Sequence, residues 1–433
     1  MDDNPVIGFA GMTHLGLNSA VAATIRGFQI ICYDEDTALL AALRAGQPPI
    51  IEPDLSETML KNNDLLSFED SESSLAACDV VYIAPDVPTD DAGGSDLSPV
   101  KKLIKIADRA MRPDAVLVVL SQVSPGFMRE LNLARRHVYY QVETLIFGQA
   151  IHRARHPERY IVGCANPGEP LPGPYRRFLE AHDCPILPMR YESAELAKIS
   201  INCCLVASVG VANTLADLCE RVGAHWSEIV PALKLDRRIG EFSYINPGLG
   251  IAGGNLERDL ATVRRLGDEH GSDTGIVSAW LANSAYRKEW VLRVLHEEVI
   301  SRIDDPKISV LGLSYKQDTH STKNSPALAL LRTLTPFRVR AYDPVVEPSI
   351  EFHPGLEPES DALTICEGAD AVAIMTPWAE FKEISPANLA ERMGGGLVID
   401  PYSVLKADLC RAAGLRYRTL GAPNNDQIEI AAC

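Results

Sequence analysis

Lys198 and Asn202 lie four residues apart in the run SAELAKISINCCLVASVGVANTLADLCERVG, whose apolar residues recur at three- and four-residue spacing. That spacing predicts one long, largely buried helix with both side chains on the same face. An ammonium among the core positions of such a helix is costly unless an anion meets it, in a structural salt bridge or at a site of chemistry. Asp259 is the second candidate. A carboxylate within hydrogen-bond reach of an ammonium or a water suits general-base work at neutral pH. It can equally cap the helix that runs DLATVRRLG.

The run VIGFAGMTHLG offers a cofactor site. Gly11 and Gly16 fit the first and third glycines of GxGxxG, the first for a tight strand-to-helix turn and the third for close packing of helix on sheet. Thr13 takes the middle position, where its side chain crowds the backbone's approach to a pyrophosphate. Asp34 closes the strand IICYD 23 residues after Gly11. A carboxylate there accepts hydrogen bonds from the adenosine ribose and repels a 2′-phosphate, which favours NAD over NADP. Its other reading is a helix cap at a strand end.

The elements that must position these residues follow from the hydrophobic rhythm. VIGFA, FQIICYD, VVYIAP, AVLVVLS and YIVG alternate with helical stretches, which indicates βαβ units and a parallel sheet. Helical patterns then dominate until KISVLGLSY, FRVRAYDP, AVAIMTP, GLVIDP and RYRTLG restore the strand rhythm. The two α/β ends read as possible distant duplicates. The expected division is residues 1–190, 191–302 and 303–433.

Composition sets the outer limits. A chain of 433 residues with 46% hydrophobic and 23% charged residues is ordinary for a globular protein of two or three domains. A net charge of −17 without a basic run argues against nucleic acid as partner. The acidic start MDDNPVIGFAG runs straight into a strand and is not read as a secretory signal. No uncharged apolar stretch of about 18 residues is read in the sequence, so no membrane span is expected. The ten cysteines form no CxxC pair, which disfavours zinc and fits reduced thiols of a cytoplasmic protein. No metal is expected.

Several segments in register resemble the UDP-glucose/GDP-mannose dehydrogenase family. LRAGQPPIIEPDL is similar to its L-x-x-G-x-x-P-I-x-E-P-G-L, IAPDVPTDDAGGSDLSPV to its I-A-V-P-T-P-T…D-L-S, and LSQVSPG to its S-T-V-P-P-G. VETLIFGQAIHRARHPERYIVG is similar to P-E-F-L-R-E-G-x-A…N-P-D-R-I-V-I-G, and ELAKISINCCLVA to E-x-x-K-x-x-x-N-A-x-L-A. LGLSYKQDTHSTKNSPA is similar to L-G-L-x-F-K-x-x-T-D-D-x-R-x-S-P-A. The resemblance implies an α/β architecture of two Rossmann-like doubly wound domains joined by a long-helix central domain, with NAD in the first and a nucleotide-sugar held mainly by the last. It implies a homodimer in which a neighbour contributes Arg238. By resemblance Lys198 and Asn202 hold the reacting sugar oxygen, Asp259 accepts the alcohol proton, and Glu143 serves the hydrolytic half of the reaction. The implied cofactor residues are Gly11, Thr13, His14, Leu15, Gly16, Asp34, Gln122, Arg258 and Lys323. The implied substrate grip is Glu143, Lys198, Asn202, Arg238, Tyr244, Gly248 and Lys316.

The departures are as informative as the matches. In NPGLGIAGGNLERD, Gly253, Gly254 and Asp259 fit the family loop, but Asn255 stands where the nucleophilic cysteine belongs. An amide nitrogen is not a nucleophile, though Asn255 can hydrogen-bond a carbonyl or its hydrate, or simply fill the space. Cys203 and Cys204 follow Asn202 but are expected to point away from its face. Ile146 and Phe147 replace an Arg-Glu pair, Gln122 a threonine and Lys323 an arginine. His320 and Ser321 replace two acids, and Tyr402 or Ser403 a cation. The expected activity is NAD-dependent oxidation of a nucleotide-sugar's primary alcohol, stopping at the aldehyde. The alternatives are four-electron oxidation to the uronate through the aldehyde hydrate, epimerisation by transient oxidation, and a non-catalytic nucleotide-binding subunit.

Overall fold

The central strands of the first half are apolar on both faces because both faces of the sheet are covered there. Ile7–Ala10 (β1), Val80–Ile83 (β4) and Val116–Val119 (β5) are buried at every residue. The computed structural model describes residues 4–90, 93–359 and 361–423, in two compact units, Met1–Ile201 and Asn202–Cys433. In the first unit, Ile30–Tyr33 (β2), Leu66–Glu69 (β3), Val138–Gln141 (β6), Tyr160–Cys164 (β7) and Ile186–Arg190 (β8) complete an eight-stranded sheet of order β3-β2-β1-β4-β5-β6-β7-β8. The sheet is not wholly parallel as the sequence rhythm suggested: β7 pairs with β6 antiparallel. The strand order reverses between β1 and β4, and the crevice at their carboxyl ends is where a doubly wound sheet binds ligand.

The second unit carries its own sheet. Lys307–Leu311 (β9), Arg338–Tyr342 (β10), Leu356–Pro358 (β11), Ala371–Ile374 (β12), Leu397–Ile399 (β13) and Arg416–Arg418 (β14) are ordered β11-β10-β9-β12-β13-β14. That is the order of the first six strands of the other sheet, and the likeness reaches single residues. Gly11 N donates to Tyr33 O and Gly312 N to Tyr342 O, while Asp34 and Asp343 each follow the second strand. The two acids differ in what they have left to offer. Asp343 is buried and accepts from the Leu313, Ser314, Val345 and Val346 amides and the Trp378 indole. Asp34 is half-buried and accepts from two amides.

The long helix spans Tyr191–Val222, and the division between the units falls inside it. Two expectations for it fail. One stretch of 18 residues has mean hydropathy 1.7, long and apolar enough to cross a membrane, although no such stretch was read from the sequence. Only 33% of that stretch is buried, so the helix is not largely enclosed within one chain. Val211, Leu215, Leu218 and Val222 form an exposed apolar stripe at helical spacing.

Candidate active site

The first turn after β1 is built by close approach. Gly11 has φ +96°, and a Cβ there would meet the Pro85 nitrogen at 2.9 Å. On Gly16 a Cβ would lie 1.9 Å from Gly11 O, so only glycine lets the helix His14–Thr24 sit this near the strand end. Asp34 Oδ2 accepts from Met12 N at 2.7 Å and Oδ1 from Asp36 N at 3.0 Å. The cap of the next helix is Asp36, not Asp34, because Asp36 takes the Ala38 and Leu39 amides. Asp34 thus ties the glycine turn to β2 and keeps lone pairs for further donors. Thr13 Oγ1 accepts from Asp86 N at 2.7 Å, and His14 N donates to Asp86 Oδ2 at 2.9 Å. His14 Nε2 lies 2.9 Å from Glu52 Oε2, and its ring stacks on Phe147 at 3.9 Å. Gln122 follows Ser121, whose hydroxyl donates to Pro85 O at 2.5 Å.

Lys198 meets the anion its burial requires. Its Nζ lies 3.1 Å from Glu143 Oε2 and donates to Glu143 O at 3.0 Å, with both side chains largely covered. The pair fixes Glu143 beside the Lys198 side chain. One turn along the same helix, Asn202 Nδ2 donates to Asp259 Oδ2 at 2.5 Å. Asp259 is 1% exposed, and Arg258 Nε approaches its other oxygen at 3.4 Å. The capping reading of Asp259 fails, because its helix is Asn255–His270 and already begins four residues earlier.

Asn255 is the exposed first residue of that helix. The loop before it is pinned from several sides. Gly253 N donates to Lys323 O at 3.1 Å, Asn324 Nδ2 to Gly253 O at 2.9 Å, and Gly248 N to the buried Asn213 at 2.8 Å. Gly253 has φ +77°, and a Cβ there would crowd the Tyr315 ring at 3.1 Å. The Lys323 side chain runs past Gly254, 3.8 Å from a Cβ placed there. Cys203 does not turn away from this region as expected. It packs with Val206, Ile251 and Leu260, and its thiol is pushed up by burial and then by the Asp259 carboxylate. A thiol held protonated beside a carboxylate is a poor replacement nucleophile.

Lys316 follows Tyr315 on the loop after β9, its Nζ 5.8 Å from the Tyr315 ring centre. Tyr244 lies within electrostatic reach of Tyr315. Arg238 is exposed and holds Asp236 at 2.6 Å, and Tyr244 is also exposed.

Three family models match the chain in order. They are the NAD binding domain of the UDP-glucose/GDP-mannose dehydrogenase family over residues 6–171, its central domain over 192–284 and its UDP binding domain over 309–407. A UDP-glucose 6-dehydrogenase of Rhizobium meliloti (strain 1021) is 30% identical, covering 96% of this chain and 100% of that protein. The chain belongs to the UDP-glucose/GDP-mannose dehydrogenase family. Another family member, the UDP-glucose 6-dehydrogenase TuaD of Bacillus subtilis (strain 168), is 28% identical over 96% of this chain and 93% of its own. Among solved structures, a UDP-glucose dehydrogenase from Pyrobaculum islandicum superposes with a TM-score of 0.83 at 25% identity, over 97% of this chain and 98% of its own.

As a family member, the chain is an NAD-dependent oxidoreductase with a nucleotide-sugar substrate. The residues present fit the cofactor in two respects: the glycine turn sets the helix start close against the end of β1, and Asp34 has acceptor capacity for a ribose. Sequence reasoning missed Asp86 and Glu52. The signal for Asp86 was visible, since an acid stands where the family run I-A-V-P-T-P-T has proline. Glu52 stands at the fixed glutamate of the run matched by LRAGQPPIIEPDL, but its partner His14, 38 residues away, could not be read from that match.

Proposed function

We propose that the chain oxidises the primary alcohol of a UDP-hexose, UDP-glucose being the leading candidate, with Lys198, Asn202 and Asp259 as the hydride-transfer machinery. The buried Asn202–Asp259 bond carries the reading: it holds a carboxylate in one orientation, away from bulk water, as a proton acceptor must be held. Lys198 stabilises alkoxide character on the sugar oxygen, and Asp259 takes the hydroxyl proton directly or through a water. NAD supplies the hydride acceptor. Asn202 Nδ2 donates one hydrogen to Asp259 and has a second to offer the sugar oxygen.

The named activity of both curated relatives favours carrying oxidation through to the uronate. With Asn255 in the loop, that course adds water to the aldehyde and removes a second hydride from the hydrate. Glu143 and Asn255 would hold the two hydroxyls. The sum is one alcohol, two NAD and one water giving a carboxylate, two NADH and three protons. A halt at the aldehyde is the second reading, favoured by the exposed amide of Asn255 and the protonated thiol of Cys203. Counting NADH per UDP-glucose consumed, with mass analysis of the product, separates them. Two equivalents and a uronate support the first, one equivalent and an aldehyde the second. Isomerised substrate without NADH release would point to epimerisation instead.

The further parts of the reading are a division near residues 190 and 302, a cytoplasmic location and a homodimer. The stripe Val211, Leu215, Leu218 and Val222, with exposed Leu235, Ile239 and Phe242 flanking Arg238, is more apolar surface than an isolated chain leaves open. A second copy covering it would bring Arg238 to its neighbour's substrate. Sedimentation of the wild type and of Leu218→Glu tests the dimer.

A further inference from the structure

Three departures of the first unit from the family pattern, Thr13, Asp86 and Phe147, meet at the start of the helix His14–Thr24. Its N-cap residue, Thr13, makes no side-chain cap. The Thr13 hydroxyl instead receives the Asp86 amide at 2.7 Å, which brings the Asp86 carboxylate over the helix end. Asp86 Oδ2 accepts from His14 N at 2.9 Å, and the Leu15 amide also faces it. The His14 ring is held by Glu52 and covered by Phe147, and it lies close enough to favour the charge on the Asp86 carboxylate. The free amides of a helix start are where a dinucleotide pyrophosphate is held in this fold. Here those amides already hold an anion.

We propose that Asp86 is a resident anion on the pyrophosphate position and sets this chain's affinity for NAD. A charge-assisted bond from a helix amide to a carboxylate is about twice as strong as a neutral one. A pyrophosphate must therefore displace Asp86 or bear its repulsion. Asp86 is exposed, so its side chain has a way out into solvent while its amide stays on Thr13. The consequence is weak cofactor binding by a site whose glycine turn is otherwise intact.

The proposal rests on NAD being the cofactor, and direct binding separates the two. Calorimetric titration with NAD, ADP and adenosine is compared for wild type, Asp86→Asn, Asp86→Ser and Asp114→Asn, the last an exposed acid in the loop before β5. Asn and Ser keep a capping oxygen but remove the charge. Both Asp86 variants are expected to bind NAD and ADP at least tenfold more tightly than wild type, with adenosine unchanged because it lacks the pyrophosphate. Asp114→Asn should match wild type. NAD affinity within twofold of wild type in either folded Asp86 variant would overturn the proposal. So would equal tightening by Asp114→Asn or a matching gain for adenosine. Failure of all four proteins to bind NAD would overturn the cofactor assignment and this proposal together.

Discussion

Asn202 and Asp259 meet at 2.5 Å across 57 residues of sequence, amide donor to carboxylate acceptor. The bond fastens the middle of the long helix to the second turn of the helix Asn255–His270, and it leaves Asp259 almost no exposed surface. Removed from water, held by the Asn202 amide and approached by Arg258 Nε at 3.4 Å, the carboxylate is fixed in one orientation.

Asp259→Asn preserves shape and hydrogen-bonding size but cannot accept the alcohol proton. The expected loss in kcat is about 10²- to 10⁴-fold, the usual contribution of general-base catalysis. Melting temperature should move little. Steady-state kinetics beside a thermal melt make the test, and a kcat within threefold of wild type would remove Asp259 from the mechanism.

Lys198 and Glu143 form a largely covered ion pair at 3.1 Å. Lys198→Met strands a partly buried carboxylate and should lower both stability and kcat, stability by roughly 3 kcal/mol. Glu143→Gln keeps a partner for the ammonium. It should spare the first hydride transfer and slow the second, read as a single-turnover burst of one NADH followed by a lag.

Asn255→Ala distinguishes a working amide from a space-filler. If Asn255 holds the aldehyde hydrate, the variant should consume substrate at nearly the wild-type rate while the yield of the second NADH falls. An unchanged ratio of NADH to substrate would assign Asn255 to packing alone.

His182 is buried with its ring against Phe178 and Tyr160, at 5.3 and 5.5 Å, and its Nδ1 is 3.1 Å from Phe178 O. Burial pushes its imidazolium from the ordinary 6.5 down to about 4. Since the folded value lies below the unfolded one, this residue costs nothing above pH 6.5. As pH falls from 6.5 through 4, proton uptake by the unfolded chain withdraws roughly 3 kcal/mol. Melting temperatures of the wild type should drop between pH 7 and 4.5 more steeply than those of His182→Leu. Parallel curves would show that other groups govern the acid limb.

Much of this protein was legible in its sequence because the signals are local. Gly11 and Gly16 announce a turn that only glycine can make, and the apolar runs announce strands covered on both faces. The spacing of Lys198 and Asn202 fixes a shared helix face whatever surrounds it. Other facts exist only after distant segments meet. Whether Asp259 caps a helix or works inside one depended on where that helix starts, and whether Asp34 still has acceptor capacity depended on amides contributed by its neighbours. Its counterpart Asp343 has the same place after the second strand of its sheet, yet five donors occupy it. Asp86 is the clearest case. Its letter marks a departure from a pattern, but only the packing of β4 beside β1 brings its carboxylate onto the amide of a residue 72 positions away. Periodicity and glycine placement are properties of neighbours along the chain, whereas the partner of a charge is a property of the fold.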